Sequence, residues 1–346
     1  MLGDVWTLGR KAADTNRSVR VEDVARLAGV SPITVSRALS HPEKVREETR
    51  RKVADAVAKT GYVVNHFAST LRSGRSSIVT VFVSSLLNPH FANSMQGLID
   101  AFEGSPFHLM FAQTSYSEQF DMNLVGAALP FRPAGLVFTG VVRSEATRRV
   151  LGKLGVPVLE MWGARPDPID MLIGFSNHEA GELMGRHLGQ SGFRRIAYCG
   201  HTLERGAERL AGLRAGLAAY DAEIGLIHAM EGTRRMADGM DAFDTILERL
   251  PECDAIFFGT DVLASGALIR AQDRGIAVPE RVAIAGLGDL DFSQHTRPSL
   301  TTLNVGGYEI GKEAGRRMLR RLNGAPVDDP IITHPITLEA RGSTRH

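Results

Sequence analysis

The sequence predicts two parts of different fold class: a small all-α domain at the N-terminus and a larger α/β core built of two lobes with a cleft between them. The chain has 346 residues, which is enough for two or three domains. Apolar residues recur at helical spacing near the start, whereas from Ile78 onward short apolar runs alternate with helical stretches. Charge is also uneven. Residues 17–75 carry 12 Lys and Arg against 6 Asp and Glu, and residues 76–346 carry 26 against 31.

Composition excludes several classes of protein. With 43% apolar and 23% charged residues, the chain is neither collagen-like nor wholly disordered. Its apolar runs, such as residues 78–83, are far shorter than the roughly 18 residues of a membrane span. No apolar segment typical of a secretory signal precedes them, so we expect a cytoplasmic protein without a membrane partner. Two cysteines form no disulfide framework and no His/Cys cluster has zinc spacing, so neither a metal nor a cofactor is expected.

The positive charge of the first 75 residues is typical of a domain that binds a polyanion. Uneven solubilising charge would explain the same numbers, so the local pattern has to decide. In the segment VEDVARLAGVSPITVSRAL, which begins at Val21, three residues share one face of a short helix: Val24, Leu27 and Ala28. This helix can end at Gly29.

A second short helix follows the glycine turn. Ser31 is a preferred N-cap residue, and Pro32 fits the first helical position because its missing N–H donates to nothing there. Val35 and Leu39 point inward, which leaves four residues more outward: Pro32, Ile33, Ser36 and Arg37. Two short helices joined by such a turn form a helix-turn-helix, whose second helix can enter the major groove of DNA. An ordinary helical hairpin is the alternative, and the outward Arg37 disfavours it.

A third helix is predicted over Glu47–Lys59, with Val53, Ala54 and Val57 apolar, ending at Gly61. A short segment then leads to Leu71, an apolar residue before a Ser/Gly/Arg-rich linker. Leu71 either packs on the small domain or acts as a wedge between base steps in the minor groove.

These segments, with V..ETRRKVADAVAKTGYVVN and the A-x-x-L of 68–71, resemble the DNA-binding headpiece and hinge helix of the LacI/GalR family over about 55 residues. The resemblance implies a headpiece at 17–64 and a hinge helix and linker at 65–77. Residues 1–16 match nothing and are expected to be disordered. In many members an Arg stands where this chain has Ser69, so the hinge loses a phosphate contact. The implied DNA-binding residues are Ser31, Pro32, Ile33, Thr34, Ser36, Arg37, Asn65, Ala68 and Leu71.

Beyond the linker, strands and helices alternate, which indicates mostly parallel sheets in two lobes, with ligands bound at the carboxyl ends of the strands. The predicted strands are Ile78–Val83, His108–Ala112, Ala134–Thr139, Val156–Met161, Leu172–Phe175, Arg195–Cys199, Ala255–Gly259 and Val282–Leu287. The predicted helices are Ala92–Phe102, Glu179–Gln190, Arg209–Tyr220, Met240–Leu250, Ala264–Gly275 and Ile310–Leu322.

Segments such as GFSNHEAGELMGRHLGQSGFRRIAYCG and RPSLTTLNV are similar to the periplasmic-binding-protein-like core of the same family. The resemblance implies an effector-binding and dimerisation core over 78–346. Lobe 1 would take about 78–175 and 307–329, and lobe 2 about 176–304 and 330–342. The crossovers between lobes would fall near 175–178, 304–307 and 328–332. Short segments of the sequence, including PVLEMW at 157–162 and GLGD at 286–289, are most similar to the gluconate-repressor (GntR-type) branch of the family.

The resemblance also implies a set of effector-binding residues around the cleft: Asn88, Phe91, Thr139, Glu160, Trp162, Phe175, Arg209, Thr260, Asp261, Gly288 and Asp289. Their chemistry fits an anionic polyol, because Arg209 can bind a carboxylate in bidentate fashion and Trp162 can stack on a carbon skeleton. Many sugar-binding members carry an Asp where this chain has Gly288. The missing carboxylate agrees with an acidic effector.

Each of three cleft residues has a structural alternative. Arg209 could be a surface arginine on an amphipathic helix. Asp261 could cap the helix that follows it. Trp162 could serve only the packing of its lobe.

An enzyme and a transport-binding protein are the competing functions. The sequence contains no GxGxxG, GxxxxGK[ST], HExxH or GxSxG pattern, so no catalytic residue is assigned. A transport protein would need neither a headpiece nor operator DNA. The prediction is therefore a homodimeric DNA-binding regulator, a repressor of a pseudo-palindromic operator. Its effector is predicted to be a sugar acid such as gluconate, with a neutral sugar, a phosphorylated sugar acid or a nucleobase as alternatives.

Overall fold

In the computed structural model, residues 19–62, 76–114, 122–230, 235–326 and 328–345 are described. The chain divides into two compact units, Met1–Ser73 and Gly74–His346. The first corresponds to the headpiece and the second to the α/β core. Each is considered by itself.

The described part of the headpiece contains three α-helices: α1 (Val21–Ala28), α2 (Pro32–Ser40) and α3 (Glu47–Thr60). A single 3₁₀ turn, Pro42–Lys44, connects the last two. Helices α1 and α3 end as the sequence predicts, at Gly29 (φ 67°) and Gly61 (φ 65°). Glycine adopts this left-handed conformation without the steric cost that a Cβ imposes.

A small core holds these helices together through seven buried side chains: Val24, Ala25, Ala28, Val35, Ala38, Val53 and Ala56. Two predictions about this core are wrong. Leu27 is 52% exposed and Ala25 is buried in its place. Ala54 is likewise exposed and Ala56 is buried. In both helices the buried face is therefore rotated by less than a quarter of a turn from the predicted position, because Val24, Ala28 and Val53 stay buried as predicted.

The core contains two six-stranded sheets. The first sheet is entirely parallel, in the order β11-β5-β4-β3-β1-β2. Its strands are β1 (Ile78–Val83), β2 (His108–Gln113), β3 (Gly135–Phe138), β4 (Val158–Met161), β5 (Met171–Gly174) and β11 (Ile331–Thr333).

The second sheet has the order β12-β10-β9-β8-β6-β7, and among its described strand pairs β10 and β12 are antiparallel and the others parallel. Its strands are β6 (Arg195–Gly200), β7 (Glu223–Ala229), β8 (Ala255–Phe258), β9 (Ala283–Leu287), β10 (Thr301–Asn304) and β12 (Thr337–Glu339). All eight strands predicted from the sequence are present. The four that were not predicted, β7 and β10 to β12, are short or lie at sheet edges, where the apolar signal is weakest.

Helices pack beside both sheets. In the described parts of the core they are α4 (Pro89–Phe102), α5 (Met122–Ala128), α6 (Glu145–Lys153), α7 (Asn177–Gln190), α8 (Arg205–Leu217), α9 (Met236–Arg249), α10 (Asp261–Asp273) and α11 (Gly307–Leu322). Short 3₁₀ turns occur at Leu129–Phe131 and Asp291–His295. The six predicted helices are present, and five of them begin three to four residues earlier than predicted because they start at caps or turns that carry no apolar signal.

Three connections join the two lobes. The first two, after β5 and after β10, lie where the sequence predicts them. The third lies later than predicted. Because Ile331–Thr333 pairs in parallel with β5, this segment belongs to lobe 1, and the chain crosses to lobe 2 only between Thr333 and Thr337.

Helices α7 and α8 lie unusually close together and position the Arg209 side of the cleft. A Cβ on Gly181 would lie 1.9 Å from the Arg209 carbonyl oxygen, and one on Gly212 would lie 1.9 Å from the His178 carbonyl oxygen. So close an approach to the backbone of the facing helix is possible only for a residue without a Cβ, which is why Gly181 and Gly212 stand there. No helix in the described ranges is long and apolar enough to cross a bilayer.

Candidate nucleic-acid interface and ligand cleft

Helix α2 of the headpiece begins at a well-formed cap. The Ser31 hydroxyl accepts a hydrogen bond from the Thr34 amide at 3.1 Å and lies 2.9 Å from the Thr34 hydroxyl. Pro32 occupies the first helical position. These features define where the helix starts and so set which of its residues point away from the headpiece core.

The outward face of α2 is the one predicted to contact DNA. Pro32, Ile33 and Arg37 are exposed, and Thr34 and Ser36 are half-buried. Ile33 is 65% exposed, an unusual position for a large apolar side chain in a domain with so small a core. A methyl-bearing side chain and a guanidinium on one exposed helix face are suited to thymine methyl groups and guanine edges. The predicted hinge contacts Asn65, Ala68 and Leu71, and residues 1–16, lie outside the described residues.

Three predicted residues of the core form one aromatic cluster. The rings of Phe91 and Trp162 lie 5.4 Å apart, those of Trp162 and Phe175 lie 5.9 Å apart, and both pairs meet edge to face. All three side chains are at least 96% buried. The Trp162 indole N–H donates to the Ser94 hydroxyl at 3.1 Å. The cluster therefore forms a rigid apolar wall, and the packing role considered for Trp162 is part of what it does.

Trp162 also has a left-handed backbone, with φ 64°, directly after β4. Asp289, close after β9 in the other lobe, has φ 49°. For residues with a Cβ this conformation is costly and clusters at functional sites. Both residues stand at the carboxyl ends of parallel strands, where α/β folds bind ligands.

Arg209 lies on α8 and is only 8% exposed, so the surface alternative is wrong. Its guanidinium donates to the Asn177 side-chain oxygen at 2.6 Å and to the Gly259 carbonyl at 3.4 Å. Neither acceptor is charged. Within the described ranges, no carboxylate lies within ion-pair distance of this buried cation, and its Nε has no hydrogen-bond partner. A buried charge without a counter-charge is costly, which is a property expected of a site for an anion.

His90, the second residue of α4, reaches across from lobe 1 to lobe 2. Its ring occupies the space beside Gly288, where a Cβ would lie only 1.4 Å from the ring. Burial, together with the nearby positive charge of Arg209, lowers the pKa of His90 to about 4. Gly288, which has φ 130°, is thus needed to seat the histidine, a reason that the sequence does not reveal.

A second arginine of α8 also crosses the cleft. The Arg205 guanidinium lies 5.6 Å from the centre of the Phe91 ring, a cation–π distance, and donates to the Thr139 carbonyl at 3.5 Å. Thr139, a predicted effector residue, also accepts a hydrogen bond from the Ser84 amide at 2.9 Å through its buried hydroxyl. Its side chain therefore holds the end of β1, and its carbonyl faces the cleft.

Glu160 does not have the arrangement expected of a ligand-binding group. One carboxylate oxygen accepts the Val142 amide at 2.7 Å and the other accepts the Ile169 amide at 2.9 Å. The side chain is fully buried, and burial raises its pKa. Both oxygens tie loops of lobe 1 together, so the predicted role of Glu160 in effector binding is not supported.

The buried Asp261 carboxylate likewise accepts hydrogen bonds from groups of the protein. One of its oxygens accepts from the Leu290 amide at 3.0 Å and the Ser293 hydroxyl at 2.6 Å, and the other accepts from the Thr302 hydroxyl at 2.6 Å. Burial raises the pKa of this carboxyl. The helix cap considered for Asp261 is supplied by the Thr260 hydroxyl instead, which accepts the Leu263 amide at 3.4 Å. Both predicted effector residues therefore have structural duties.

The remaining two polar candidates also have partners. The Asn88 side chain caps α4 by accepting the His90 amide at 3.1 Å. Asp289 is ion-paired with Arg341 at 2.6 Å and accepts from Asn304 at 3.1 Å. Its side chain is 19% exposed, so it remains accessible at the cleft edge.

The structure thus brings together, around the cleft, the aromatic wall, Arg209 and Gly288, and it adds residues that sequence reasoning missed. These are Ser94, Asn177, Arg205 and Arg341, together with His90, which lies in the stretch from Asn88 to Phe91 that the resemblance places beside the pocket but was given no role of its own. One signal was available for His90: the Asn-Pro pair before it marks a helix start at the end of a strand. For the others the sequence carries no local signal, because their roles depend on partners that are 32 to 68 residues away in the chain.

Comparison with known proteins agrees with this architecture. Residues 20–65 match the model of bacterial regulatory proteins of the lacI family, and residues 186–344 match a periplasmic binding protein-like domain. The chain is 34% identical to the HTH-type transcriptional regulator GntR of Pseudomonas aeruginosa, over 98% of this chain and 99% of the relative.

Solved structures give the same result. A LacI-family transcriptional regulator from Silicibacter pomeroyi matches with a TM-score of 0.88 and 28% identity, over 95% of this chain and all of that one. The transcription regulator GntR from Chromobacterium violaceum matches with a TM-score of 0.73 and 34% identity, over 77% of this chain and 99% of its own. The chain is therefore a DNA-binding transcriptional regulator, not an enzyme, and it belongs to the LacI family of bacterial regulatory proteins.

Proposed function

We propose that this regulator is a homodimeric repressor whose affinity for operator DNA is controlled by a sugar acid, gluconate or a close C6 relative, bound in the core cleft. The observation that carries the proposal is Arg209. It is a buried guanidinium whose described acceptors, Asn177 and Gly259, are both neutral. A ligand carboxylate would supply the missing counter-charge and take two parallel hydrogen bonds.

The state of the acidic side chains supports an acid over a neutral sugar. Carboxylates are strong acceptors for sugar hydroxyls, but the carboxylates of Glu160 and Asp261 are already occupied by groups of the protein. Asp289 is neutralised by Arg341. What favours an acid is therefore the buried positive charge of Arg209, whose described acceptors are neutral.

The dimer and the operator follow from the headpiece. One α2 helix can read only one half-site, so a twofold dimer facing a pseudo-palindromic operator is the arrangement that uses two headpieces. Ligand binding would change operator affinity by favouring one arrangement of the lobes over another. Because its partner is chromosomal DNA, we place the protein in the cytoplasm.

Calorimetry with gluconate and glucose tests the effector. Gluconate should bind the wild type and glucose should bind more weakly. Arg209→Lys should lose at least about tenfold in gluconate affinity, because a point charge cannot reproduce a planar bidentate contact. Arg214→Lys, an exposed position on the same helix, is the matched control and should bind like the wild type.

A gel-shift assay on an operator selected from random duplexes tests the regulatory half of the proposal. Gluconate should change operator affinity of the wild type and of Arg214→Lys, but not of Arg209→Lys at the same concentration. Tighter binding of glucose than gluconate would refute the sugar-acid effector while leaving the assignment as a DNA-binding regulator in place. An operator affinity that no tested ligand alters would refute effector control by this class of ligand.

A further inference from the structure

Two side-chain nitrogen atoms of the cleft are buried and have no hydrogen-bond partner within the described ranges: Nδ2 of Asn177 and Nε of Arg209. The two side chains are hydrogen-bonded to each other. Asn177 is fully buried and Arg209 is only 8% exposed, so bulk water does not replace the missing partners. Buried polar atoms are nearly always paired, and two unpaired ones at one place therefore indicate a ligand that pairs them.

Arg209 determines how the amide of Asn177 is oriented. Its Nη2 lies 2.6 Å from the side-chain oxygen of Asn177. Because an arginine has no acceptor, the amide atom that faces it must be the oxygen, and the amide nitrogen points elsewhere. Nε and Nη2 are bonded to the same carbon, as are the two polar atoms of the amide. The two unpartnered nitrogens therefore lie close together, and both can only donate.

This pair of side chains lies where the carboxyl ends of the two sheets meet. Asn177 is the first residue of α7, which follows the end of β5 in lobe 1. Arg209 also donates at 3.4 Å to the carbonyl of Gly259, the residue directly after β8 in lobe 2. Parallel α/β sheets bind their ligands at these strand ends. The two unpartnered donors thus belong to the ligand cleft.

Two adjacent donors select a group that consists only of acceptors. Both oxygens of a carboxylate accept hydrogen bonds, and neither brings a proton that needs a partner of its own. A carboxamide has the same shape, but it would direct an NH₂ group at one of the two donors. A hydroxyl likewise brings a proton. The pair therefore distinguishes a carboxylate from neutral groups of similar size.

We propose that Asn177 is a specificity-determining residue of the cleft. The ligand carboxylate lies along the Nε edge of Arg209, and Asn177 Nδ2 donates to the oxygen on its own side as a further donor. The proposal rests on the proposed function, because it places the carboxylate on Arg209. It adds a second residue that binds the carboxylate, and it adds rejection of the matching carboxamide.

The decisive variant is Asn177→Asp, which keeps the size of the side chain and an oxygen that faces Arg209. It should fold, since position 177 opens α7 and an acidic side chain suits the first turn of a helix. The variant replaces the donor by an acceptor. It should therefore exchange which ligand fits, because a carboxamide can donate to the new carboxylate, whereas a ligand carboxylate is repelled by it.

Calorimetry with gluconate, gluconamide and glucose measures this exchange. The wild type should bind gluconate at least about tenfold more tightly than gluconamide. In Asn177→Asp, gluconate should weaken at least about a hundredfold and gluconamide should tighten at least about tenfold, while glucose changes by less than about threefold. If Asn177 acted only through the charge of Arg209, the two neutral ligands would respond alike. Their different responses therefore report direct contact.

The matched control is Asn323→Asp, which adds the same charge at an exposed position at the end of α11. It should keep the wild-type affinities for all three ligands.

A second measurement does not depend on a variant that folds. Nuclear magnetic resonance of the ¹⁵N-labelled wild type reports on the side-chain NH₂ group of Asn177, assigned by sequential methods. Gluconate should move at least one of its two proton resonances downfield and slow its exchange with water, because a charged acceptor binds it. Glucose at the same concentration should leave both resonances near their free positions.

The outcomes separate the two proposals. Three results overturn the role of Asn177 and leave the sugar-acid effector standing: undiminished gluconate binding by Asn177→Asp, equal responses of gluconamide and glucose to this substitution, and Asn177 resonances that ignore bound gluconate. The same losses in Asn323→Asp would also overturn that role, since they would report a general effect of charge. Equal affinity of the wild type for gluconate and gluconamide, binding of glucose alone, or no binding of any ligand overturns both proposals.

Discussion

The headpiece and the core present their functional side chains in opposite ways. On α2 of the headpiece, Ile33 and Arg37 are exposed and stand on a face defined by helix periodicity alone. In the core cleft, His90 and Arg209 are buried, and each is defined by its neighbours. An exposed reading face can be inferred from one element, whereas a buried site is a property of several elements that meet. The following predictions test this difference, beginning with the largest effect.

The largest effect is expected at Asp261. Replacing it by alanine leaves the Leu290 amide and the hydroxyls of Ser293 and Thr302 without their acceptor, so the core should lose about 3 kcal/mol of stability or more. Urea unfolding of the full chain measures this. Asp273→Ala, exposed on the same helix, should change stability by less than about 0.5 kcal/mol. If Asp261→Ala unfolded at the wild-type urea concentration, the buried carboxylate would not be a structural group.

Acid should destabilise the core through His90. Its pKa is about 4 in the folded protein and about 6.5 when unfolded, so between these values the unfolded chain holds a proton that the folded chain lacks. The stabilisation is complete above about pH 6.5 and is lost as the pH falls through 4, by up to about 3 kcal/mol. Urea midpoints from pH 7 to 5 should fall more steeply for the wild type than for His90→Ala. Parallel curves for the two proteins would contradict this, since His187 and His228, whose pKa values burial also lowers, remain in both.

On the exposed side of the comparison, Arg37→Ala should reduce discrimination between operator and random DNA by about 1–3 kcal/mol, because a base-reading arginine acts only on the correct sequence. Competition binding at fixed salt measures the ratio. Arg51→Ala removes the same charge from α3, where the side chain is 78% exposed. It should weaken both DNAs alike. A ratio unchanged in Arg37→Ala would remove Arg37 from the reading face.

The smallest effect is expected at the helix start. Ser31→Ala removes the hydroxyl that caps α2 and should lower headpiece stability by about 1 kcal/mol. Amide hydrogen exchange in α2 should quicken accordingly. Ser40→Ala, at the other end of the same helix, removes a hydroxyl but no N-terminal cap and serves as the control. Equal exchange in the two variants would show that the cap contributes nothing.

The same difference explains how far the sequence could predict the molecule. The three headpiece helices and eight of the strands were predictable because each bears its own pattern of apolar residues. Leu27 was wrongly predicted to be buried, because three apolar residues at helical spacing do not show on which side of them the neighbouring helix packs. Arg209 was identified, but its burial and its lack of a carboxylate partner were not, and Asp261 looked like a ligand group until its three donors were located. His90 could be recognised only once Gly288, nearly 200 residues later, was placed against it.

The small headpiece core has a consequence for behaviour on heating. Four of its seven buried side chains are alanines, so the core buries little apolar surface. We therefore expect the headpiece to have a small free energy of unfolding and a low melting temperature. The large sheets of the other unit have no such weakness. We expect two separate melting transitions on heating, the headpiece unfolding first. Between them the protein should no longer bind operator DNA, although the core should still bind its ligand. Heat would then act on gene expression in the same direction as an inducer, with no small molecule required.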